Sequence, residues 1–221
     1  MRFVACSGFP IPVSRYFREF SAVEISESEL GLPGEGTVRR WLRESPKGYG
    51  FSFLAPKRFA ELQFAAKNPE LKELAAGLVT LSASLDAKAV VFTAPEDWKP
   101  TKATKETMKA FAKSLPAKLG PVVLDLPGWK PEQIDALEAG PRIFAAYDPL
   151  KDKTPDGTAI AYVRLPGPAG HRSRYDEASI EKIAEHLEGL TAKVVFCVFR
   201  NIDMQANAQQ LVKRLAAKKS P

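Results

Sequence analysis

Glu24 lies in the run Ala22-Val23-Glu24-Ile25, flanked by two β-branched apolar residues. Successive strand side chains face opposite sides, so Glu24 points away from Val23 and Ile25. Arg164 has the same setting between Val163 and Leu165. A buried carboxylate must be paired or protonated, and a guanidinium fork matches a carboxylate or a phosphate. The two residues therefore read either as an ion pair that fixes packing or as an acid/base carboxylate beside an anion clamp. Asp125 ends an apolar run and is the third candidate catalytic group. Asp148 also ends a run and is a candidate ligand contact. Strand-end Asp residues commonly start turns, but with Glu24 they could also hold a divalent cation through oxygen.

The remaining candidate ligand contacts sit beside other apolar runs. They are Ser7, Lys57, Tyr162, His171, Arg172, Arg174, Tyr175, Arg200 and Asn201. Several share the segment Gly167-Pro-Ala-Gly-His-Arg-Ser-Arg-Tyr175, where glycines permit close backbone approach and His171, Arg172 and Arg174 supply donors. Cys6-Ser7 lacks a neighbouring His motif and a G-x-S-x-G elbow, so Cys6 reads as a packed thiol rather than a nucleophile. His171 and His186 have no partner at metal-ligand spacing. No cofactor motif is present: the chain has no G-x-G-x-x-G and no phosphate loop ending in Gly-Lys-Ser/Thr.

Eight apolar runs must carry these residues: 3–6, 22–25, 51–54, 89–92, 122–124, 142–147, 160–165 and 194–199. They are rich in Val, Ile and Phe, as buried strands are. Amphipathic stretches separate them, with stripes Val38/Trp41/Leu42, Leu71/Leu74/Leu78/Leu81/Leu85, Met108/Phe111/Ala112/Leu115, Ile134/Leu137, Ile180/Ile183/Ala184/Leu187 and Met204/Ala208/Leu211/Leu215. Pro131 suits a first helical turn and Gly189 a C-terminal cap. The alternation predicts an α/β fold with parallel strands and right-handed crossovers. Eight strands without a dinucleotide turn favour a TIM-like (β/α)8 barrel over an open doubly wound sheet, as one domain over 1–221. The first crossover, Pro10 to Phe20, allows only a short helix. The link 148–158, with Pro149, Pro155 and Asp156-Gly157, allows none. With 221 residues, a trimmed barrel results, shorter than the roughly 250 residues typical of the fold. Candidate chemistry then belongs at the C-terminal mouth.

Charge narrows the partners. The chain has 32 basic and 26 acidic residues, net +6. Residues 1–110 and 111–221 each hold 16 basic and 13 acidic residues. Apart from Lys218-Lys219 there is no basic block, which favours a small polar or anionic ligand over nucleic acid. A nucleic-acid reading would use Arg172, Arg174, Arg200 and the Lys102/Lys105/Lys109 helix face. A catalytically degenerate interaction protein is a further alternative. No run approaches a membrane span or a signal-peptide core. Two cysteines fit a reducing compartment, and the expected location is the cytoplasm. Oligomeric state is not readable.

The residues also resemble a known family. Phe20-Ser-Ala-Val-Glu24-Ile, Leu32-Pro, Thr37-Val-Arg-Arg-Trp41, Pro46-Lys-Gly-Tyr-Gly-Phe51 and Ala55-Pro-Lys57-Arg58 are similar to the N-terminal half of the YecE-like family, domain of unknown function 72. Tyr162-Val-Arg164-Leu-Pro-Gly, Arg174-Tyr175, Val198-Phe-Arg200-Asn201 and Ala206-Asn-Ala208 are similar to its C-terminal half. The resemblance implies a TIM-like barrel and no established reaction. It places Glu24, Arg164 and Asn201 on the family's polar positions. Ser26 stands where the family has Asn, Leu54 where it has Lys, and Pro166 where it has His. The family's Arg and His near Trp129 are replaced in Val122-Val-Leu-Asp125-Leu-Pro-Gly-Trp129. The altered mouth implies a divergent member with another ligand or a lost activity.

Overall fold

A computed structural model describes residues 1–155 and 157–217. Asp156 and the Lys218-Lys219 pair lie outside the described residues. The eight expected strands form at β1 Arg2–Cys6, β2 Ala22–Ile25, β3 Gly50–Leu54, β4 Ala89–Thr93, β5 Val122–Asp125, β6 Ile143–Tyr147, β7 Ile160–Leu165 and β8 Val194–Phe199. All pair in parallel, in the order β1-β8-β7-β6-β5-β4-β3-β2. The helices are α1 Val13–Glu19, α2 Glu35–Glu44, α3 Arg58–Glu61, α4 Pro69–Leu85, α5 Lys102–Ser114, α6 Pro131–Asp135, α7 Glu177–Gly189 and α8 Met204–Ala217. As the sequence predicts, α1 is short, and no helix joins β6 to β7 among the described residues.

The ring closes between β1 and β2 in an unusual way. One bridge, Ser7 to Glu24, joins them, and Gly8 N–H donates to Glu24 C=O at 2.7 Å. One step below, the buried Tyr16 hydroxyl sits between the strands. It accepts from Cys6 N–H at 2.8 Å and donates to Ala22 C=O at 3.0 Å. The side chain thus satisfies two backbone groups that would otherwise face each other across a gap. Because α1 is short, its tyrosine reaches the seam directly.

Helix ends are fixed by local chemistry. Asn68 accepts from Glu70 N–H at the start of α4, with Pro69 in the first turn. Thr101 and Thr104 cap α5 reciprocally, and Asp176 accepts from Ser179 N–H at α7. Arg2 donates to the α7 C-terminal carbonyls of Leu187 and Leu190, and Arg142 to those of Leu115 and Pro116 beyond α5. Cations there offset the negative helix end. Three expectations are corrected. Gly189 is the last helical residue, and the chain leaves through an extended Leu190 rather than a left-handed glycine. Helix α6 has only five residues, so Leu137 is buried from the following turn. Leu42 is 43% exposed on α2 because Val38 and Trp41 already fill the contact with the barrel.

Two apolar clusters result. The larger lies between the sheet and the helices. The smaller fills the barrel axis with Phe3, Ala5, Ala22, Leu54, Ala89, Val91, Val123, Tyr162, Phe196 and Val198. Phe3 packs on Phe196 at 5.0 Å between ring centroids, and Phe196 stacks on Tyr162 at 5.5 Å. Gly50 makes room for this column, since a Cβ there would lie 2.6 Å from the Phe3 ring. The column ends in the Tyr162 hydroxyl, and charged residues begin above it.

Candidate functional site

The C-terminal mouth has a floor of hydrogen-bonded charge. Glu24 has no solvent exposure and Arg164 only 3%. Arg164 Nη2 donates to Glu24 Oε1 at 2.8 Å and Nε donates to Oε2 at 3.0 Å, a bidentate pair. Ser7 Oγ donates to Oε1 at 2.6 Å, and Tyr162 Oη donates to Oε2 at 2.9 Å. Each carboxylate oxygen therefore accepts two hydrogen bonds, which fills its lone pairs. Glu24 has no site left for a substrate proton. Of the two sequence readings, the packing ion pair describes this geometry. The acid/base role for Glu24 meets a carboxylate that is buried and fully occupied.

Tyr162 draws in a residue that the sequence reading missed. Ser52 Oγ lies 2.8 Å from Tyr162 Oη, and Ser52 is fully buried. Its signal was present: in Phe51-Ser52-Phe53, a serine alternates with two aromatics and so must face the barrel interior. Register places Ser52 beside Glu24. Burial and the Glu24 charge push the Tyr162 hydroxyl well above its ordinary pKa, so it stays a donor. Burial opposes the Arg164 charge, but the Glu24 and Asp125 carboxylates outweigh it. The guanidinium is held above the usual arginine value.

Asp125 and Arg200 form the rim. Arg164 Nη1 also donates to Asp125 Oδ2, and Arg200 Nη1 reaches the same oxygen at 3.4 Å. Asp125 is 22% exposed and Arg200 is 44% exposed. Among the described residues, none donates to Asp125 Oδ1, and no acceptor meets Arg200 Nη2 or Nε. The nearby Arg164 charge, together with burial, pulls the Arg200 pKa below the arginine norm. Register sets Thr93 beside Asp125, at an interior position that continues from Ala89 and Val91.

The other expected contacts do not converge here. Asp148 turns back on its own link: Oδ1 accepts from Leu150 N–H at 3.0 Å, and its backbone N–H donates to Asp152 Oδ2. Burial raises its pKa. Lys57 is exposed on the β3–α3 link and pairs with Glu61 at 3.7 Å. Tyr175 packs on Phe199 in the outer layer, and its hydroxyl accepts from Gly167 N–H at 2.9 Å. Asn201 is buried and ties α8 to the β7–α7 loop, donating to Ser173 C=O and Asn207 Oδ1. His171 Nδ1 meets Arg200 C=O at 2.7 Å, and Arg174 pairs with Asp203. Arg172 is exposed.

The loop after β7 is therefore closed on itself. The N–H groups of Gly167, Ala169, Gly170 and Ser173 all donate to Tyr175, Ser173 or loop carbonyls. A phosphate cradle needs such groups free. The Lys102/Lys105/Lys109 face belongs to α5, after β4, four strands around the ring from β8, and Lys109 pairs with Glu138. It therefore stands across the ring from the end of β8 that carries Arg200. Cys6 is buried, with its thiol pKa pushed up to about 12 by desolvation, so it is no thiolate nucleophile. Among the described residues, no three His, Cys, Asp or Glu side chains are grouped to hold a metal ion. No described helix is long and apolar enough to cross a membrane.

A family model, protein of unknown function DUF72, matches residues 12–220. The chain belongs to the DUF72 family. Solved structures agree. A DUF72 family protein from Thermotoga maritima MSB8 is 18% identical with a TM-score of 0.79, covering 98% of this chain and 99% of that one. One from Enterococcus faecalis V583 is 18% identical with a TM-score of 0.74, covering 98% of both. A xylose isomerase domain containing protein from Salmonella typhimurium LT2 is 15% identical with a TM-score of 0.64, covering 97% of this chain and 96% of that one. At these identities the likeness establishes a TIM-barrel fold and nothing of the reaction. No curated protein matches the chain.

Proposed function

We propose that this DUF72 barrel binds a small polar or anionic ligand at its C-terminal mouth. In this reading Arg200 and Asp125 touch the ligand, while Glu24 and Arg164 hold them in place. One observation carries it: the Arg200 side chain is half-exposed, held by a single 3.4 Å contact, and shares the Asp125 Oδ2 oxygen with Arg164. Glu24 and Asp125 balance Arg164 and Arg200 in charge, but Glu24 is fully buried on the floor, so the half-exposed Arg200 is the charge an incoming anion meets at the rim. The buried floor is preorganised, so little of it needs to reorder on binding.

The reading is tested by calorimetric titration of small carboxylates and phosphates against wild type and Arg200→Ala. Binding to wild type that disappears in Arg200→Ala, with an unchanged melting temperature, supports it. Equal binding by both proteins contradicts it.

A further inference from the structure

Asp125 Oδ1 and the Arg200 N–H groups stand side by side on the rim, an empty acceptor next to empty donors. From this juxtaposition we infer that the ligand carries an oxyanion and a neutral hydroxyl next to it, as a hydroxycarboxylate or a short polyol phosphate does. This rests on the mouth-binding reading above and narrows its ligand class.

The donor side follows from Arg200. Its guanidinium spends one N–H on Asp125 Oδ2 at 3.4 Å, a long contact. The unused N–H groups form a fork suited to two oxygens of one anion. The acceptor side follows from Asp125. Its Oδ2 takes both arginines, and Oδ1 takes no donor among the described residues. A ligand anion on Arg200 therefore places its neighbouring atoms over a vacant carboxylate oxygen.

Charge decides which donor fills that oxygen. The two carboxylates, Glu24 and Asp125, are already matched by the two arginines, so an added ammonium meets no unmatched negative charge. A hydroxyl donates without adding charge. The site thus separates hydroxy acids from amino acids of the same size. Thr93, beside Asp125 in register, adds an interior-facing hydroxyl that can meet a further ligand oxygen.

The test titrates four probes into the full chain by NMR and calorimetry: glycolate, acetate, glycine and glycerol 1-phosphate. Glycolate should bind about tenfold more tightly than acetate, one charge-assisted hydrogen bond's worth, and glycine should bind more weakly than acetate. Glycerol 1-phosphate against glycolate separates the phosphate source from the carboxylate source. In Asp125→Asn the preference for glycolate over acetate should collapse while anion binding remains. Arg200→Ala should lose all four probes. If glycolate and acetate bind equally, or glycine binds as well as glycolate, the hydroxyl inference is overturned and the mouth-binding reading stands. If none of the probes binds and Arg200→Ala changes nothing, both fall.

Discussion

The floor and the rim of the barrel mouth use the same residue types to opposite ends. On the floor, Arg164 spends all three guanidinium nitrogens on Glu24 and Asp125. On the rim, one strand over, Arg200 makes one loose contact and is 44% exposed. Both side chains face the barrel interior from consecutive strands. The difference is height: Arg164 lies within β7, whereas Arg200 lies just beyond β8, where solvent begins. A saturated pair holds a shape, and an unsaturated one next to it can take a ligand. Family position alone does not separate the two roles, but counting lone pairs and donors does.

The comparison breaks most visibly at Glu24. Glu24→Ala leaves Arg164 buried with only Asp125, removes the acceptor of the Ser7 hydroxyl and leaves the Tyr162 hydroxyl with Ser52 alone. Removing one partner of a buried pair costs about 3–5 kcal/mol, which urea denaturation would register. A loss under about 1 kcal/mol would show that the floor is not structural. Tyr162→Phe keeps the aromatic column and removes one donor. The expected cost is about 1–2 kcal/mol, with anion binding retained, as denaturation and titration of one sample would show.

Asp148 sharpens the contrast from outside the mouth. Burial raises its folded pKa above the ordinary 3.8. The folded chain then binds more protons than the unfolded one between that value and the raised one, so stability falls as pH rises through this window. Asp148→Asn keeps the Oδ1 contact to Leu150 and removes the charge. It should be more stable than wild type above the window, and the advantage should vanish as pH falls below it. Melting curves from acid to neutral pH would check this, and a pH-independent difference would refute it.

Much of the frame was legible because alternation and strand spacing are local. Glu24 between Val23 and Ile25, and Arg164 between Val163 and Leu165, marked two interior charges before any fold was known, readable either as an ion pair or as an acid/base group beside an anion clamp. The short first crossover and the helix-less sixth link were readable from proline placement. What the sequence hid was saturation. Whether Glu24 can act on a proton depends on Ser7, Tyr162 and Arg164 arriving from β1 and β7, a long-range fact. Likewise, the glycines and donors of 167–175 suggested an anion loop. Yet Ser173 and Tyr175 consume its amides, and Asn201 anchors it to α8. Tyr16 at the seam carried no local signal, since its role depends on a gap between β1 and β2.

The most direct test compares two substitutions of one residue type. Urea unfolding and small-anion titration are run on Arg164→Ala and Arg200→Ala together. The account predicts that Arg164→Ala loses about 3–5 kcal/mol, whereas Arg200→Ala stays within about 0.5 kcal/mol of wild type and loses anion binding. Equal stability losses, or anion binding that survives in Arg200→Ala, would contradict it.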